Sequence, residues 1–99
     1  MEPMDLQAIR EKWKTEILRL GEKHGASNIR VFGSIARNEG ESESDLDLLV
    51  DMENGRSYLD LVGFWQDLEA LLGCRVDVIS EGGVSHYLKE QIHRDAIPL

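Results

Sequence analysis

The chain has a single cysteine, Cys74, among its 99 residues. It therefore cannot form an internal disulfide, and a reducing cytoplasm is its expected setting. No apolar run approaches the roughly 20 residues needed to cross a bilayer. The first residues, Met1-Glu-Pro-Met-Asp5, lack the basic and apolar regions of a signal peptide. Positive charge is also scarce: 11 Lys and Arg stand against 19 Asp and Glu, a net charge of -8. General nucleic-acid binding rests on Lys and Arg neutralising phosphates, so that deficit argues against it. The length is that of one domain, 1–99, with room for one core but not for a separate substrate domain. Whatever the protein acts on is expected to bring its own shape.

The charge that is present is unevenly spread. Between Asn38 and Gly55 stand seven acids (Glu39, Glu41, Glu43, Asp45, Asp47, Asp51 and Glu53) and no Lys or Arg. Clustered carboxylates repel one another unless a cation sits among them. For the four glutamates a solvated acidic loop is explanation enough. It is not for Asp47, which lies between Leu46 and Leu48-Leu49-Val50, where a buried, unpartnered charge would cost several kcal/mol.

The hydrophobic pattern reads as alternating helices and strands. Leu6, Ile9, Trp13, Ile17 and Leu20 predict one long amphipathic helix, with Asp5 to cap it and Lys23-His24-Gly25 to end it. Asn28 to Phe32 predicts a strand, Ser34 to about Glu39 a short helix, Gly40 to Ser44 a polar loop and Leu46 to Met52 a second strand. Ser57 and Asp60 form a capping-box pattern ahead of a helix striped by Leu61, Phe64, Trp65, Leu68, Leu71 and Leu72, closed by Gly73. Arg75 to Ser80 predicts a third strand, Glu81 to Val84 a flexible loop, and Ser85 can cap a last helix through about Arg94. The expectation is a mixed α/β single domain: a small three-stranded sheet packed by helices.

Two features within 20 residues carry chemistry. Gly33-Ser34 stands where a strand turns into a helix, where backbone N–H groups and a hydroxyl can meet phosphate. After ten intervening residues, Asp45 and Asp47 sit at i and i+2, so on a strand they share a face about 7 Å apart along the backbone. Both can reach one pair of cations, and magnesium suits hard carboxylate ligands combined with substrate phosphates. An ion pair between Asp47 and Arg37 is the alternative account of the buried charge. His86 and His93, seven apart, lack a third ligand and read as solvent or packing residues. Tyr58, Tyr87, Phe64 and Trp65 read as core or rim, and Cys74 as a small buried apolar residue.

Gly33-Ser34, Ala36-Arg37, Glu39 and Ser44-Asp45-Leu-Asp47-Leu-Leu-Val50 together resemble the signature of the minimal nucleotidyltransferases, a small branch of the DNA polymerase beta-like superfamily. Asn38 departs from it, standing where many relatives have glycine, though Asn tolerates a positive φ. The element order extends the resemblance over essentially the whole chain. It implies transfer of a nucleoside monophosphate from ATP or another triphosphate to a hydroxyl, with magnesium, two ions in all, held by Asp45, Asp47 and Asp77. Asp77, which alone would read as a surface residue or a partner of Arg75, matches the place of the third carboxylate. Gly33 and Ser34 would hold the triphosphate. Arg37 would contact phosphate or a neighbouring acid.

The resemblance further implies an antitoxin whose partner and substrate is a HEPN-domain ribonuclease toxin, adenylylated on a tyrosine. Two other readings stand beside it: a non-catalytic module that masks its partner sterically, and a small-molecule nucleotidyltransferase.

Overall fold

The computed structural model describes residues 5–37, 46–83 and 86–99, of which residues 86–88 by backbone alone. Asp45, Asn38, the expected loop over 40–44 and Ser85 lie outside the described residues, as do the side chains of His86 and Tyr87. Along the chain come α1 (Leu6–Lys12), α2 (Lys14–His24), β1 (Ala26–Phe32), α3 (Gly33–Ala36), β2 (Leu46–Met52), α4 (Tyr58–Leu72), β3 (Val76–Ser80), a 3-10 turn over Glu81–Gly83, α5 (His86–Asp95) and β4 (Ile97–Pro98). No described helix is long and apolar enough to cross a membrane.

Among the described residues the sheet has four strands in the order β3-β2-β1-β4, one more than the sequence predicts. β2 runs antiparallel to β1 and parallel to β3. The added strand, β4, is two residues long and pairs Ile97 with Val31 and Pro98 with Arg30. It is too short to show a period, and its proline, which cannot donate to a ladder, is tolerated because the strand lies at an edge. Arg10 of α1 fastens it, donating from Nε and Nη2 to the carbonyls of Leu99 and Pro98 at 3.1 and 2.6 Å.

The expected long first helix is two helices, broken at Trp13, whose φ and ψ are -122° and -13°. The hydrogen-bond ladder nevertheless runs through Trp13, whose N–H bonds the Ile9 carbonyl at 2.8 Å and whose carbonyl accepts from the Ile17 N–H at 2.9 Å. Ile9 and Ile17 are both fully buried, as the apolar stripe predicts. The predicted helix ends at Asp5, Gly25, Ser57 and Gly73 hold. Asp5 accepts from the Ala8 N–H at 2.7 Å, Gly25 and Gly73 end their helices in the left-handed region, and Ser57 and Asp60 form the full capping box. In that box the Ser57 N–H donates to Asp60, holding its carboxyl below the usual range.

One face of the sheet is the core. Val31, Leu46, Leu48, Val50, Val76 and Val78 meet Ile17 of α2 and Leu61, Phe64 and Leu68 of α4 there. The predicted aromatic placement holds for Phe64 and for Trp65, which packs against the cluster, and Cys74 is half-buried beside it. It fails for Tyr58, 70% exposed at the first turn of α4. His24 ties α2 to α4, its Nε2 2.7 Å from Asp67.

Candidate active site

The opposite face of the sheet carries the candidate chemistry, because side chains alternate along each strand. On β2, Asp47 points away from the core that Leu46 and Leu48 enter. On β3, Asp77 does the same between Val76 and Val78. The parallel register sets Asp47 directly beside Asp77, and the antiparallel register sets Phe32 directly beside Asp47. Phe32, Asp47 and Asp77 therefore form one row across three strands, each half-buried. Neighbouring strands lie about 4.8 Å apart, so the two carboxylates leave the same face of the sheet from adjacent positions.

β1 delivers the next residue, Gly33, onto this row. Its φ of +76° is in the left-handed region, and a Cβ built there would strike the Asp47 carboxylate. Glycine is required twice over, by the backbone angle and by the carboxylate. From Gly33 the chain turns at once into the single helical turn α3, with the Arg37 N–H bonded to the Gly33 carbonyl at 3.2 Å. Ser34 is the second residue of that turn, half-buried, one position from the carboxylate contact.

Of the residues singled out by sequence, the fold brings together Gly33, Ser34, Asp47 and Asp77. Asp45 falls outside the described residues, and among the described residues no group of three His, Cys, Asp or Glu forms a metal-ligating cluster. The pair that is described fits a hard divalent cation: two carboxylates presented side by side, beside a residue with no side chain to block approach.

Arg37 reaches a neighbouring acid, Asp95 at the end of α5, with Nη1 2.6 Å from Oδ2. Nothing in the sequence signals that pair, since its members are 58 residues apart. Beside it is a recess of about 260 Å3, bounded by Phe32, Gly33, Arg37, Ile79, Gln91, Ile92 and Asp95. No local pattern marks these residues as one wall either. His93, read as a solvent or packing residue, lies 2.6 Å from Glu81, which also meets Arg30 of β1 at 3.2 Å. The turn after β3 is thereby tied to α5 and β1 rather than left as a flexible loop.

The chain belongs to the nucleotidyltransferase family: the nucleotidyltransferase domain matches residues 8–99. Within the family it is a minimal nucleotidyltransferase. A solved structure of that class superposes with a TM-score of 0.83 at 50% identity, over 97% of both chains. The protein adenylyltransferase MntA of Thermococcus cleftensis is 37% identical over 79% of each chain. A toxin–antitoxin complex solved with AMP-PNP shares the fold, with a TM-score of 0.73 at 21% identity, over 85% of this chain and 69% of that one.

Proposed function

We propose that this protein transfers the AMP moiety of ATP to a hydroxyl of a partner protein, and that the partner is a HEPN-type ribonuclease toxin which it restrains as an antitoxin. The single observation that carries the transfer reading is the direct pairing of Asp47 with Asp77 beside Gly33. The protein partner is supported by the relative named as a protein adenylyltransferase and by the toxin–antitoxin complex of the same fold.

Asp47 and Asp77, with Asp45, would hold magnesium, two ions in the full site. When bound, the metal lowers the pKa of the acceptor hydroxyl and offsets charge on the departing pyrophosphate. Gly33 and the Ser34 hydroxyl hold the triphosphate at the start of α3, where the absent Cβ lets phosphate approach. With the triphosphate held there, its α-phosphate lies in line with the incoming acceptor, and that alignment supplies much of the rate. The acceptor oxygen forms a bond to the α-phosphorus, the bond to the bridging oxygen breaks, and pyrophosphate leaves. Asp77, at the outer end of the row, receives the hydroxyl proton.

The test is label transfer from α-labelled ATP to the co-expressed toxin. Wild-type protein should label it and Asp47→Ala should not, while still binding it. Equal labelling by both proteins contradicts the proposal. Toxin inhibition by a variant that no longer labels would favour steric masking, and labelling of an aminoglycoside in the same assay would favour the small-molecule reading.

A further inference from the structure

The recess beside the carboxylate row has a composition of its own. Its apolar surfaces are Phe32 and Ile79 from the sheet and Ile92 from α5. Its charged groups, Arg37 and Asp95, are paired with each other at 2.6 Å, so it presents almost no net charge in a strongly acidic protein. Gln91, exposed at its rim, makes no side-chain hydrogen bond among the described residues. Gly33 belongs both to this recess and to the contact with Asp47, so the recess begins where the carboxylate site ends.

We propose that this recess receives the base of the donor nucleotide, and that Gln91 hydrogen-bonds the base edge. The inference rests on the donor-site reading above. About 260 Å3 is slightly below the range of whole-ligand pockets, roughly 300–1,000 Å3, and suits a ring system rather than a complete nucleotide. The triphosphate then lies outside it, along Gly33 toward Asp47 and Asp77. Apolar side chains flank the ring while an amide reads its edge, the usual way a protein holds an isolated base. A glutamine amide offers one acceptor and two donors and can turn either way. It can therefore meet the donor-acceptor edge of adenine or the inverse edge of guanine. Gln91 gives affinity for a base without choosing among bases, and the protein accepts ATP and GTP alike.

The experiment is equilibrium binding with magnesium and no acceptor, comparing ATP, GTP and ribose 5′-triphosphate, the last lacking a base. Wild-type protein should bind ATP and GTP within about threefold of each other and about tenfold more tightly than the base-free compound, the gain expected of one or two added hydrogen bonds. Gln91→Ala should lose most of that advantage. Gln91→Trp, which fills the rim, should abolish it and leave ribose 5′-triphosphate binding unchanged. Gln91 is exposed, so both variants should fold, which melting curves check. Equal binding of all three ligands by wild type, or unchanged ATP binding by both variants, overturns the recess assignment alone. Absence of binding by every ligand overturns the donor-site reading and the recess assignment with it.

Discussion

Val31, Leu48 and Val78 form a row across three strands on one face of the sheet, and Phe32, Asp47 and Asp77 form the adjacent row on the other. The two rows differ by one residue on each strand. The first is closed into the core by α2 and α4, and the second is only half-buried. A one-residue slip of β2 would exchange Leu48 for Asp47, so the core that fixes the register also fixes the carboxylate pair. Folding stability and chemistry are thus assigned to opposite faces of the same strands. Substitutions should separate them.

The largest separation is expected at position 47. Asp47→Asn should lower transfer by about a hundred-fold or more, since it removes charge where the reaction needs it, with little change in melting. Its neighbour behaves in the opposite way. Leu48→Ala should cost about 2–5 kcal/mol in denaturant unfolding, by loss of burial and a residual cavity, and should spare the activity of whatever fraction stays folded.

Gly33→Ala lies between these cases and should break the separation. Its φ of +76° adds strain of about 1–2 kcal/mol for any residue with a Cβ, and the new methyl displaces the Asp47 carboxylate. Both melting temperature and transfer should fall. Away from both rows, Ser57→Ala removes a cap whose hydroxyl accepts from the Leu59 N–H at 3.2 Å, and should cost about 1 kcal/mol with transfer unaffected.

The smallest effect is pH-dependent. The hydrogen bond from His24 holds the Asp67 carboxyl below its ordinary value of 3.8. A depressed carboxylate pKa stabilises fully above that ordinary value, and the stabilisation is lost as pH falls through the lower folded value. Asp67 is over a third exposed, so solvent screening holds the contribution under about 1 kcal/mol. Asp67→Asn should flatten the dependence of melting temperature on pH below about 4.

The sequence is most readable where the signal is local. Asp5, Gly25, the Ser57–Asp60 box and Gly73 mark helix ends through contacts within a few residues, and all four are found. β2 and β3 are legible because their apolar residues recur at the strand period around Asp47 and Asp77. The departure from helical angles at Trp13 is not legible, because the apolar spacing runs through it without a break. β4 has too few residues to carry a pattern. Gly33 was readable as a place for close approach, but its second constraint, the Asp47 carboxylate, comes from a pairing across strands. The Arg37–Asp95 bond and the recess depend on α5 folding back onto the sheet face, a placement no local spacing encodes.

Asp77→Asn tests the division between the two faces most directly, measured by thermal melting without metal and by label transfer with magnesium. Two carboxylates set side by side repel, so removing one charge should leave the melting temperature equal or raised while transfer falls about a hundred-fold or more. A variant that unfolds, or that transfers as wild type does, would contradict the account.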